Sequence, residues 1–256
     1  MNKTIYIIIL LIIVILLGIC ITPCSKYSLR CRPPVGSKKC CTKKIVFMLD
    51  KVTKLMKGKF FIICGTLLAL KRYEGKHMIP HDDDADGCIL AKDEYYFKNI
   101  IPILKSYGFV VKLNISKKKR KGKNPANSKD SKHIIEYPPY RYYSIRYSLI
   151  NNLHIDVAIL NPSYLEDSTP VYIDAPIEWS KSVNKMDHII ANKYRSWIMY
   201  EDELLPIIKD KYLGINIYRP LKMDKVLERM YGESYMIPYN RNKYKNTKLI
   251  TLDGKE

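Results

Sequence analysis

The stretch Phe60-Phe61-Ile62-Ile63-Cys64-Gly65-Thr66-Leu67-Leu68-Ala69-Leu70-Lys71-Arg72, followed shortly by His81-Asp82-Asp83-Asp84-Ala85-Asp86 and then Cys88-Ile89-Leu90, decides how this sequence folds. Phe60 to Cys64 is a short apolar run with the character of a buried strand. Gly65-Thr66 opens a helical stretch through about Tyr73, with Leu67, Leu68 and Leu70 available for packing, and Gly75 breaks it. The acidic run begins just after Pro80. It passes at once into apolar Cys88-Ile89-Leu90, which ties the acids to the core.

Outward from this frame the elements alternate. Ile45, Met48, Leu49, Val52, Leu55 and Met56 have helical spacing, so 44–57 reads as an amphipathic helix. Tyr95 to Tyr107 reads as another helix and Phe109 to Leu113 as a strand. Three strand candidates follow at 133–137, 142–149 and 154–160. Further along, Val171–Asp174 and Ile215–Tyr218 read as short strands, and Met223–Tyr231 as a terminal helix closed by Gly232. Helices and strands in this order imply an α+β (mixed α/β) domain. With 256 residues, 47% of them apolar, the chain can bury one ordinary core.

The N-terminus has a different composition. Ile5 to Thr22 carries no charge and is dominated by Ile, Leu and Val. Eighteen residues in a helix span roughly 27 Å, near the hydrocarbon thickness of a bilayer, so 1–22 is expected to be a single-pass transmembrane anchor. Residues 23–42 read as a basic linker containing Pro and Cys, 43–242 as the catalytic domain, and 243–256 as a tail. The basic residues after the span place the domain on the cytoplasmic side. The cysteines Cys20, Cys24, Cys31, Cys40 and Cys41 fit disulfides in an oxidising lumen or lipidation in the cytoplasm, so both orientations stay open.

The net charge of +19 is uneven. Residues 1–44 hold eight basic side chains and no acid, and the loop 117–132 holds eight more against Asp130. Two local basic blocks suit a membrane surface or a polyanionic acceptor better than nucleic acid, which calls for a uniformly basic face.

The chemistry resides in the carboxylates. Alternate residues of a strand share a face, so Asp84 and Asp86 stand side by side. Paired carboxylates repel and are held together most cheaply by a cation. Hard divalent ions such as Mg²⁺ and Mn²⁺ take oxygen ligands and leave positions for phosphate. Asp156, alone in the apolar strand His154-Ile155-Asp156-Val157-Ala158-Ile159-Leu160, completes a three-carboxylate set if the two strands are neighbours. Gly65 and Thr66 sit at a strand-to-helix turn, where free backbone amides and the helix dipole favour phosphate. The run lacks the alternating ligands and distant Glu of an EF-hand.

These residues resemble the signature of the LicD family, which includes bacterial phosphocholine transferases and is related to fukutin and fukutin-related protein. The match runs through Gly65–Arg72 and Ile79–Asp86, and again through Leu227-Glu228-Arg229-Met230-Tyr231-Gly232-Glu233-Ser234-Tyr235-Met236-Ile237-Pro238, which looks like the family's closing Tyr-Gly motif. Leu204 to Pro220 resembles the segment before it. The resemblance implies a nucleotidyltransferase-like mixed sheet flanked by helices. It also implies transfer of a phospho-alcohol, such as phosphocholine or ribitol phosphate, from a CDP-alcohol donor to a glycan or glycoconjugate acceptor. Carried over, Asp84 and Asp86 are catalytic metal ligands, and Asp156 is the third catalytic carboxylate, either a further metal ligand or the base for the acceptor hydroxyl. Gly65, Thr66 and Arg72 bind the donor phosphates, and Asp82 and Asp83 support substrate binding. His81, Ala85 and Ala69 depart from the usual residues of the motif, and the insertion at 117–132 is foreign to it. Two other readings share part of this pattern: a nucleotidyltransferase acting on RNA or a small molecule, and a membrane-tethered polyanion-binding protein without activity.

Overall fold

A computed structural model describes residues 3–21, 31, 39–116, 119–121, 134–136, 140–165, 168–173 and 198–237. In chain order the elements are α1 (Lys3–Ile21), α2 (Lys39–Met56), β1 (Phe60–Ile62), α3 (Cys64–Arg72), β2 (Ala85–Leu90), a 3-10 turn (Ala91–Asp93) and α4 (Glu94–Ser106). Strands β3 (Val110–Ser116), β4 (Lys119–Lys121), β5 (Ile134–Glu136), β6 (Tyr140–Arg146), β7 (His154–Tyr164), β8 (Pro170–Ile173) and β9 (Ile198–Tyr200) follow. The described chain closes with α5 (Glu201–Leu204), the pair β10 (Ile208–Tyr212) and β11 (Ile215–Arg219), and α6 (Met223–Tyr231).

The α+β expectation for the domain agrees with this architecture; the anchor expected before it does not. Among the described residues no helix is long and apolar enough to cross a membrane. The transmembrane helix over 1–22, the single-pass membrane location and the membrane contact through that helix are therefore corrected. The linker expectation for 23–42 also changes at its end. α2 begins at Lys39, because Cys41 and Thr42 are buried and Cys41 is joined to Cys31 in a disulfide. Cys40 is disulfide-bonded as well. The tail 243–256 lies outside the described residues, as does most of 117–132, where β4 pairs antiparallel with β5.

The sheet runs β1-β2-β7-β6-β3, with β8 pairing the far part of β7 and β9 pairing β8. β2 and β7 are parallel; the other pairs are antiparallel. Strand periodicity divides the apolar residues into two cores. Phe60, Ile62, Ile89, Ile155, Val157 and Ile159 join the core that also contains Ile45, Met48, Leu49 and Val52 of α2 and Phe97 and Leu104 of α4. Phe61, Ile63, Cys88, Leu90 and Leu160 join Tyr172, Met199 and Leu204 on the opposite face. Both helices present an apolar stripe at the three-and-four spacing, which is why they lie on the sheet rather than in solvent.

The C-terminal elements lock onto this frame. Leu213 donates its amide to the Gly75 carbonyl at 2.7 Å, fixing the β10–β11 turn beside the end of α3. Arg229 of α6 pairs with Glu203 of α5 at 2.5 Å and lies over the Tyr200 ring. Lys71 of α3 pairs with Asp224 of α6 at 2.8 Å.

Where β1 and β2 pair, Gly87 faces Phe60. A Cβ on Gly87 would fall on the Phe60 ring and lie 3.1 Å from the Phe61 carbonyl oxygen. Phe60 is fully buried and has nowhere to retreat. Gly87→Ala is expected to cost about 1–3 kcal/mol through overpacking. Urea denaturation reads this as a lower midpoint with an unchanged slope.

Candidate metal centre

The parallel pairing of β2 with β7 sets Asp86 opposite Asp156. With a period of two, Asp84, Asp86, His154 and Asp156 all point to the face that also carries Cys88, Leu90 and Leu160. They gather at the N-terminal ends of the two strands. On the other side of β7, the antiparallel strand β6 sets Ser144 opposite Asp156 and Arg146 opposite His154. The structure thus brings together the three carboxylates that the sequence reading selected.

Their partners differ. Asp86 is the most firmly held. Its Oδ2 accepts the Gly65 N–H at 3.0 Å, and its own amide donates to Thr66 Oγ1 at 2.8 Å. The first turn of α3 is therefore pinned to β2 through one residue. Cys64, just before Gly65, has a φ of 51°, a left-handed conformation that is costly for a residue with a side chain. Gly65 is needed for close approach, since a Cβ there would lie 2.7 Å from Asp82 Oδ2 and 3.2 Å from Asp86 Oδ2. Gly65 and Thr66 are thus placed where expected, at the free end of α3. In the structure their polar groups engage Asp86 directly.

Asp84 turns toward β7. Its Oδ2 lies 3.4 Å from His154 Nε2, and that nitrogen lies 3.9 Å from Asp156 Oδ1. Ligand atoms of Asp84, His154 and Asp156 lie within 4.8 Å of one another, and so do those of Asp82, Asp83 and Asp84. Asp84 belongs to both groups.

The electrostatics follow from this crowding. Burial pushes the Asp82 carboxyl well above the usual range, and Asp86, Asp84 and Asp83 add to the effect. Burial also raises Asp86, with Asp84 next in importance, against the opposing Gly65 N–H. Asp156 is raised by burial despite the nearby His154 imidazole. For His154, burial opposes the charged form, but Asp84, the Asn152 carbonyl and Asp156 outweigh it and push the ring up to about 9. These carboxylates are short of positive charge: the His154 imidazolium supplies one unit, and Arg146 adds a weaker coulombic pull on Asp156. Asp156 Oδ1 is buried with no hydrogen-bond partner. An unsatisfied buried carboxylate oxygen aimed into an oxygen-rich cluster fits a divalent cation.

Arg72 stands elsewhere. It lies at the C-terminal end of α3, roughly 10 Å along the helix from Gly65. Its Nε donates to the Tyr235 carbonyl at 2.7 Å, Nη2 also contacts that oxygen, and Nη2 reaches the Ile237 carbonyl at 3.1 Å. The guanidinium holds the segment after α6 in place.

Two neighbours were not selected from the sequence. His154 is one; its position two residues before Asp156 on the same strand was the available signal. Tyr231 is the other. It ends α6, and burial raises its hydroxyl pKa, with Cys64, Asp86 and Asp82 acting in the same direction. Its place in the Tyr-Gly motif was the clue.

No protein-family model matches the chain. It is similar to an uncharacterized protein of Rickettsia typhi, 26% identical over 199 residues, covering 77% of this chain and 48% of that protein. An uncharacterized protein of Rickettsia prowazekii is 24% identical over 203 residues, covering 75% of this chain and 58% of its own length. The chain spans about half the length of the curated relatives it matches.

Thr66 provides a clean test of how the centre is built. Thr66→Val keeps the shape but leaves the Asp86 amide without an acceptor, at an expected cost of about 1–3 kcal/mol. Thr66→Ser keeps the oxygen and is expected to retain most of that stability. Thermal or urea melts of the two variants separate the hydrogen bond from the packing.

Proposed function

We propose that this chain is a divalent-metal-dependent transferase. It moves a phospho-alcohol, of the phosphocholine or ribitol phosphate type, from a CDP-activated donor to a hydroxyl of a glycan or glycoconjugate. The observation that supports this reading best is the convergence of Asp84, Asp86 and Asp156 on one sheet face beside the N-terminus of α3. The two motifs that resemble the LicD family support the choice of donor.

In this reading Asp84 and Asp156 hold the ion. When bound, it neutralises the donor diphosphate and relieves the repulsion among the carboxylates. Asp86 keeps the helix start against β2, so that the amides of the first turn of α3 stay beside the phosphates. Gly65 permits the close approach that this requires. The acceptor oxygen bonds to the phosphorus bearing the alcohol, the bridging P–O bond breaks, the hydroxyl proton is released and CMP leaves. Such transfer demands positioning and charge neutralisation more than covalent help from the protein.

The test is an assay of the chain with Mn²⁺ or Mg²⁺ and a panel of CDP-alcohols and nucleoside triphosphates. The expected result is CMP release from one CDP-alcohol, abolished by chelation and reduced about 100-fold or more in Asp84→Asn. Turnover of triphosphates alone would instead assign a nucleotidyltransferase. No turnover, with salt-sensitive binding to polyanions, would assign a binding module.

A further inference from the structure

The inference rests on the metal-centre reading above and concerns which residues bind the ion and which ion they select. The group Asp84, His154 and Asp156 combines two carboxylates with an imidazole. Nε2 of His154 lies 3.4 Å from Asp84 Oδ2 and 3.9 Å from Asp156 Oδ1. Donors around an ion at about 2.1 Å sit roughly 3.0–3.5 Å apart, so Nε2 and Asp84 already have that spacing and Asp156 needs to approach Nε2 by about 0.4 Å.

A separate observation concerns the other ring nitrogen. His154 Nδ1 lies 2.8 Å from the Asn152 carbonyl oxygen. A carbonyl only accepts, so Nδ1 carries a hydrogen, and the neutral ring presents its lone pair at Nε2. Metal-binding histidines are oriented in this way, with the second nitrogen donating to a carbonyl or carboxylate. Asp156 Oδ1, which faces the same Nε2, is the buried oxygen without a hydrogen-bond partner. Lone pairs from β7 and from the residue before β2 therefore converge on one point. Asp86 contributes less there, because its Oδ2 is committed to the Gly65 amide.

We propose that His154 is a metal ligand, and that Asp84, His154 and Asp156 select a first-row transition ion such as Mn²⁺ over Mg²⁺. Mg²⁺ is hard, demands near-ideal octahedral geometry and favours oxygen. Imidazole suits the softer first-row ions, so a nitrogen donor shifts the balance toward them. The ion takes the place of any proton on Nε2.

The experiment is pulsed electron paramagnetic resonance on the full chain loaded with Mn²⁺, joined to Mn²⁺/Mg²⁺ competition. The wild type is expected to give imidazole ¹⁴N modulation that changes to a ¹⁵N pattern when the protein is made with ¹⁵N-histidine. His154→Gln is expected to lose the modulation and at least about tenfold of the preference for Mn²⁺, whereas His81→Gln retains both. Mn²⁺ bound without nitrogen coupling in the wild type would overturn the assignment of His154 while leaving the carboxylate centre standing. Coupling that survives in His154→Gln would do the same. The labelled wild type decides the presence of nitrogen, and a variant with His77, His81, His133 and His188 all replaced by Gln decides its source, even if His154→Gln fails to fold. Absence of saturable Mn²⁺ binding would overturn the metal-centre reading itself.

Discussion

The parallel register between β2 and β7 is the constraint on which everything else depends. It sets Asp86 opposite Asp156 and, one step earlier, brings Asp84 to His154. Four ionisable groups end on one sheet face, while the opposite face of the same strands is filled by Ile89, Ile155, Val157 and Ile159. A one-residue slip would exchange the two sets, burying carboxylates in the helical core and exposing the aliphatic residues. The apolar face therefore guards the polar one. Its packing against α2 and α4 supplies the free energy that keeps like charges close.

Crowded acids raise one another, and burial raises them further. The structure answers with groups from three directions. The Gly65 amide comes from α3, Ser144 and Arg146 come from β6, and His154 comes from β7 itself. Each meets part of the demand, and Asp156 Oδ1 stays without a hydrogen-bond partner. A site arranged this way favours the arrival of positive charge.

Much of this was legible in the residue pattern. Apolar spacing places helices at 44–57, 65–73, 95–107 and 223–231, against 39–56, 64–72, 94–106 and 223–231 in the structure, and strand periodicity selects the carboxylates. What the pattern does not carry is pairing. No local signal says that β7 lies beside β2, so the three carboxylates were a conditional set until the sheet order was known. β10 carries no strand signal because Lys209-Asp210-Lys211 sets three charged residues in a row between Ile208 and Tyr212, which breaks the alternation and looks like a loop. Its clue was the two-residue turn Leu213-Gly214, with φ of 50° and 82°, typical of a tight hairpin. Arg72 was aligned with phosphate by motif alone. In the structure it lies at the C-terminal end of α3, with its guanidinium on the Tyr235 and Ile237 carbonyls. The N-terminal apolar run shows the converse: composition suggested a bilayer span, but among the described residues no helix is long and apolar enough to cross a membrane.

The clasp of Arg72 on the Tyr235 and Ile237 carbonyls joins parts of the chain 163 and 165 residues apart. The helix whose first turn is pinned to Asp86 thus ends in the grip of the segment after α6. During synthesis α3 lacks this support until the ribosome has delivered almost the whole described domain. The two segments are one mechanical part written in two places, and because the acceptors are main-chain carbonyls, the brace depends on the guanidinium of Arg72 and on the path of the later segment rather than on its side chains.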